Sequence, residues 1–236
     1  MRGCLFTLVA LVAVVAVLLW LALPPLAGTL VQGALVAGGL EATTTVVTVT
    51  ADPPPRLLTL KADEVVVHAT NASIHGLSAA DLKVTLHDVD LLDRTFSRID
   101  GTLRGVRLPD AAGTGPGIPL VELSGTPGAV RATMTLSAAD AQALGTSAVE
   151  RAIGITPSSV RLTAPDRVRI RLGGQTVDGR LAVRPDGSLV LVPPANLSKD
   201  PITVLAADPG LGLEVLSFRV VDGGLVLVAS FDPGFG

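Results

Sequence analysis

DLKVTLHDV, residues 81–89, sets Leu82, Val84 and Leu86 in alternation with Lys83, Thr85 and His87. Side chains on a strand point to opposite faces in turn, so this period of two predicts a strand with one face buried and one in water. Before it, across the turn-like NASIHGLSAA, lies DEVVVHAT at Asp63–Thr70. Further upstream is the β-branched TTTVVTVTA of residues 43–51, which stops at Asp52-Pro53-Pro54-Pro55. After it, Ile99–Leu108 (IDGTLRGVRL) predicts another strand, AAGTGPGIP a loop and Ala129–Leu136 a further strand. The first half therefore reads as a meander.

The period changes over Ser137–Ile153. Ser137 followed by Asp140 approximates an N-terminal capping box, and Leu144, Ala148, Ala152 and Ile153 fall on one helical face. Strands resume as SSVRLTA, DRVRIRL, VDGRLAV and SLVLVP, separated by Ala164-Pro165, Gly173-Gly174 and Pro185-Asp186-Gly187. A short helix is expected over Asp200–Ala207, and LEVLSFRVV and GLVLVAS then close the chain as a hairpin around Asp222-Gly223-Gly224. This order predicts an α+β fold in which one long, curved antiparallel sheet wraps around one or two helices.

Ahead of the meander stands CLFTLVALVAVVAVLLWLAL, Cys4–Leu23, preceded by Arg2 and followed by no charge until Glu41. A helix rising about 1.5 Å per residue over that run matches a hydrocarbon core of roughly 30 Å. Arg2 keeps the start in the cytoplasm and sends the rest across. A cleaved signal peptide would leave the protein secreted, but Leu21-Ala22-Leu23-Pro24-Pro25 offers no A-x-A site, so the expectation is an uncleaved anchor over residues 1–23. Cys4, the only cysteine, precedes the apolar core, which excludes both lipidation behind it and an internal disulfide. Residues 24–40 read as an apolar connecting helix with Leu26, Leu30, Ala34 and Ala37 on one stripe, and residues 41–236 as the extracytoplasmic domain.

A net charge of −3 argues against wholesale nucleic-acid binding, and five Phe, one Trp and no Tyr argue against stacking on bases or sugars. Neither G-x-S-x-G, H-E-x-x-H, G-x-x-x-x-G-K-[ST] nor G-x-G-x-x-G occurs. His68, His75 and His87 could serve as a base beside a remote serine, but strand position makes His68 and His87 solvated groups; their spacings fit no zinc pattern, and no cofactor or metal is expected. Asp88, Asp90 and Asp93 lack the glycine and distal Glu of a calcium loop.

Arg167, Arg169 and Arg171 alternate with Val168, Ile170 and Leu172, and Arg161, Arg180 and Arg184 lie on neighbouring strands. That stripe either meets phosphate head groups or is a solvated face balanced by carboxylates. An aliphatic chain with 48% apolar residues and few aromatics could also line an acyl-chain channel, for which Val65, Val67, Leu82, Val84, Leu86, Val168, Ile170 and Leu172 are the candidates.

From Lys61 to Leu108 the chain resembles the LmeA-like phospholipid-binding family of exported actinobacterial proteins, related in fold to the tubular lipid-binding superfamily. ADEVVVHATNASIHGLSAADLKVTLHDV, IDGTLRGVRL and LEVLSFRVVDGGLVLVAS carry the resemblance. It implies a curved sheet around helices that leaves an elongated apolar groove, and a membrane-anchored protein of the cell envelope that binds or transfers phospholipid. Phospholipase A activity is attributed within that family, so an esterase acting on membrane phospholipids is the alternative, and a purely structural envelope protein the second; no catalytic motif carries over to residues here.

Overall fold

The computed structural model describes residues 23–74, 77–93, 95–107, 117–194, 197–198, 200–207 and 213–231. Among these no helix is long and apolar enough to cross a membrane, and residues 4–22 of the expected anchor lie outside the described residues.

The alternation around Val84 does make a strand, and a longer one than the sequence suggested. β2 (Lys61–Ile74) and β3 (Leu77–Asp90) pair antiparallel through most of the stretch that reads as a turn. β1 (Thr44–Thr50), β4 (Arg98–Val106), β5 (Ile118–Thr126) and β6 (Ala129–Leu136) extend the meander. The C-terminal hairpin, β12 (Glu214–Val221) and β13 (Gly224–Phe231), joins at β6, giving one large curved sheet in the order β1-β2-β3-β4-β5-β6-β13-β12.

Residues directly opposite one another share a face. One row therefore runs Val47, Val67, Val84, Gly101, Leu123, Ala132 and Ala229 along the inner side of the sheet. Between the pairs Thr70↔Asp81 and Ala72↔Ala79, Asn71 takes a φ of 48°; on β4, Gly105 takes a φ of 59° between Arg104 and Val106. These left-handed residues shift the alternation, so that Ala69 and Ala72, and Leu103 and Val106, are buried at a step of three.

Two bodies cover this inner face. Helix α1 (23–37) lies over β1–β3 and seats Ala27, Val31 and Leu35 among Val49, Val65, Val67, Leu82 and Leu86. Gly28 permits the approach, since a Cβ there would stand 2.8 Å from the Val47 carbonyl oxygen. The second cover is α2 (Ala138–Ile153) with a separate five-stranded sheet, β7 (Ser159–Thr163), β8 (Arg167–Leu172), β9 (Gln175–Val183), β10 (Leu189–Val192) and β11 (Ile202–Leu205), ordered β11-β10-β9-β8-β7. Helix α2 is capped by the expected box, with the Asp140 amide donating to the Ser137 hydroxyl and the Ser137 amide to the Asp140 carboxylate. Its Leu144 and Val149 share one core with Leu103, Val121, Met134 and Leu227 of the large sheet and with Val160, Val168, Ile170 and Leu191 of the small one. At the turn after β9, the Val215 amide donates to the Gly187 carbonyl at 2.8 Å and ties the two sheets together.

The structure corrects several expectations. Not one sheet but two enclose α2, because β7–β11 pair only among themselves. Residues 202–205, expected within a helix, form β11, which the β-branched Ile202, Thr203 and Val204 suit. Ala152 is exposed, and Val149 takes the buried place on α2. On α1 the stripe Leu26, Leu30, Ala34 and Ala37 faces outward while Ala27, Val31 and Leu35 face the sheet. That helix carries no charge and only Thr29 and Gln32 as polar side chains, so hydropathy alone gave its side wrongly. β5, which starts inside the expected loop, went unanticipated. α1 is also part of a core, which places the start of the folded unit before residue 41.

Gly145 in α2 has Val160 of β7 so close that a Cβ would meet Val160 Cγ1 at 2.8 Å. Alanine there gains about 1 kcal/mol of helix propensity, yet overpacking against this buried valine costs more. Gly145→Ala should lose about 1–2 kcal/mol in urea unfolding, and Val160→Ala in the same chain should restore part of it; additive losses would show that the contact is not what requires glycine.

Candidate functional site

The sequence candidates divide between two places. Val65 and Val67 are buried beneath α1, with Leu82 and Leu86 half-buried beside them. Leu82 also touches the large core and the small cluster of Leu40, Ala69 and Ala72, so it joins all three. Val84 belongs to none of these clusters and is half-buried. Its neighbours along the row, Gly101 and Leu123, are half-buried as well. The inner face thus has a seam where the cover of α1 stops and that of α2 and the small sheet begins. Gly101 carries no side chain there, and Val84 leans over it, so that a Cβ on Gly101 would meet Val84 Cγ2 at 3.1 Å. Sequence reasoning missed Ile99, Gly101 and Leu123; the glycine inside IDGTLRGV was the available signal, since glycine in a strand marks a place where something must approach the backbone.

Val168 and Ile170 lie elsewhere. At 2% and 0% exposure they are packed in the closed core with α2, and Leu172 packs at its margin. Their partners in alternation, Arg167, Arg169 and Arg171, all point outward from the small sheet. Register adds two more arginines to that face: Arg161 stands opposite Arg169, and Arg180 opposite Arg167. Asp178, opposite Arg169, accepts a hydrogen bond from its Nε at 2.9 Å, and among the described residues Arg169 is the one of these five with an ion-pair partner. Arg184 is not part of the group; it sits at the turn before Ser188, where its amide donates to the Ser188 carbonyl.

The histidines occupy the other side of the large sheet. His68 Nε2 pairs with Asp81 at 2.9 Å, and His87 Nε2 lies 3.2 Å from both Arg98 and Asp100. Both rings engage charged side chains and are separated from Val84 by the thickness of the sheet. His75 lies outside the described residues. Among the described residues no group of three or more His, Cys, Asp or Glu is arranged to hold a metal ion. Of Asp88, Asp90 and Asp93, Asp90 shapes the turn, its Oδ1 accepting the amides of Leu92 and Asp93 at 3.0 and 3.1 Å, while Asp88 accepts a hydrogen bond from Ser97 Oγ at 2.7 Å.

No protein-family model, curated protein or solved structure matches this chain.

The Asp93 amide, aided by that of Leu92 and by Lys61, holds the Asp90 carboxyl below the usual aspartate range. A depressed folded-state pKa adds stability that is present above the unfolded value, near 3.9, and is lost as pH falls through the folded one. Asp90→Ala should lower the melting temperature at neutral pH, and the gap to wild type should close as the pH drops below that range. Asp90→Asn, which keeps the acceptor, should lose less; a gap independent of pH would show that the carboxylate charge is not involved.

Proposed function

We propose that this protein is a membrane-anchored, extracytoplasmic module of the cell envelope that binds or transfers phospholipid, with an acyl chain held along the seam at Val84, Gly101 and Leu123. One observation carries the reading: a continuous aliphatic inner face is covered by two separate bodies, and the residues between them are only half-buried. Aliphatic walls without aromatic or polar direction suit a flexible hydrocarbon, which gains about 0.8 kcal/mol for each methylene buried. The resemblance of DLKVTLHDV and its flanks to the phospholipid-binding family, the tubular lipid-binding likeness it implies, and the uncharged run Cys4–Leu23 point the same way.

The aliphatic seam supports binding more directly than ester hydrolysis. A hydrolase needs a base within hydrogen-bond reach of its nucleophile and substrate, whereas His68 and His87 are on the opposite side of the sheet from the seam.

Because α1 contributes to a core, the unit to purify begins at residue 23 or earlier. Native mass spectrometry of that unit should show co-purified phospholipid. Val84→Trp, which would fill the seam and displace about three methylenes, should weaken binding of a fluorescent fatty acid by about fiftyfold, from about 2.4 kcal/mol lost. Thr135→Trp, exposed on the other face of the large sheet, should leave binding unchanged. A lipid-free protein, or equal affinity in wild type and Val84→Trp, would sink the reading.

A further inference from the structure

Helix α1 and the small sheet cover the same face of the large sheet, so their own outward surfaces look out on the same side of the molecule. On α1, Leu26, Leu30 and Val36 are 59%, 66% and 59% exposed. On the small sheet, Arg161, Arg167, Arg169, Arg171 and Arg180 share one face with Asp178. The opposite side of the molecule carries acids and bases interleaved, as in Asp81, Lys83, Asp100, Arg104, Glu122 and Arg131.

The arginine face is electrostatically incomplete. Arg161 stands directly across from Arg169, and Arg167 directly across from Arg180, and like charges in that relation destabilise a sheet. Asp178 offsets one of the five. An anionic surface supplied from outside would relieve both like-charge pairs, and guanidinium groups match phosphate oxygens bidentately. The apolar stripe of α1, on the same side of the molecule, identifies what kind of anion. Exposed aliphatic side chains on the same side as clustered cations are the pattern of a surface lying in the head-group region of an anionic bilayer, where hydrocarbon enters the interface and arginine meets phosphate. A soluble polyanion would have no use for Leu26, Leu30 and Val36. Chain continuity adds to this, because α1 follows directly on an apolar run with no charge between Arg2 and Glu41.

We propose that this side of the molecule, the outward stripe of α1 together with the five-arginine face of β7–β9, is a docking surface for anionic phospholipid head groups that lays the domain flat on its membrane. The proposal rests on the membrane-associated reading above but not on carriage of lipid in the seam. Flat docking keeps the polar outer face of the large sheet turned away from the bilayer.

The test uses the full chain with Cys4→Ser, carrying one fluorophore on either Thr176→Cys, outward on β9, or Thr135→Cys, outward on β6. It is reconstituted in phosphatidylcholine vesicles and in vesicles that also contain phosphatidylglycerol, each with a head-group spin label as quencher. Quenching at position 176 should appear with phosphatidylglycerol, weaken as salt rises and exceed that at position 135. Combined Arg161→Gln, Arg167→Gln, Arg171→Gln and Arg180→Gln should lower the docked population on the order of fivefold for each arginine removed. If that variant does not fold, Arg161→Gln with Arg180→Gln, which removes one member of each like-charge pair, should show a proportionate loss at unchanged or raised melting temperature. Quenching that ignores phosphatidylglycerol, survives the arginine changes or is equal at the two positions overturns the proposal. So does tight binding of a single-stranded oligonucleotide with no approach to vesicles, which would assign the face to a soluble polyanion. Lipid co-purification is read separately, so absence of bound lipid would leave docking standing and loss of docking would leave the seam standing.

Discussion

A large sheet with one aliphatic face must have that face covered, and most of this structure follows from how the covering is done. Burial of apolar surface at about 25 cal/mol per Å² is the dominant favourable term, and a curved sheet offers more of it than a single helix can shield. Here the burden is split. Helix α1 takes β1–β3, while α2 with the small sheet takes the rest, and Leu82 is the side chain that both covers reach. Every surface of functional interest is a by-product of that division: the seam is where the covers fail to meet, and the apolar stripe and the arginine face are the outer sides of the covers themselves.

Close approach makes the division possible. Gly28 lets α1 settle against the β1 backbone, and Gly145 lets α2 settle against Val160, each at the expense of helix propensity. Gly187 works differently. With a φ of 78° and the Glu214 side chain in the way of any Cβ, it turns the chain after β9 so that its carbonyl receives the Val215 amide. The two sheets are thereby joined by a hydrogen bond as well as by shared core side chains.

Elements with a strong local signal were legible in the sequence. DLKVTLHDV declared β3 by period, and Ser137 with Asp140 declared the start of α2 by capping chemistry. β5 was hidden because Ile118 and Val121 are buried at a step of three, around Pro119, which erases the period of two. The side of α1 was hidden because an uncharged helix with only Thr29 and Gln32 as polar side chains has no strong polar face to point outward. Arg167, Arg169 and Arg171 were visible as a stripe, but the two like-charge pairs were not, since cross-strand register is a property of pairing and not of any one strand. The seam was illegible for the same reason: Val84 reads like Leu82 and Leu86, and only the position of the covers sets it apart.

The large sheet is also discontinuous along the chain. β6 ends at Leu136, yet Leu136 finds its partner in Leu225, after α2 and the whole small sheet have been spelled out. In a chain made from its N-terminus, β1–β6 can zip up hairpin by hairpin, each closure short and entropically cheap. The open edge of β6 must then wait for the last strands, a long-range pairing of the kind that slows folding and leaves a strand edge exposed to other chains meanwhile. The hairpin of β12 and β13 therefore acts as a latch, and the step that completes the sheet waits until α2 and the small sheet have been made.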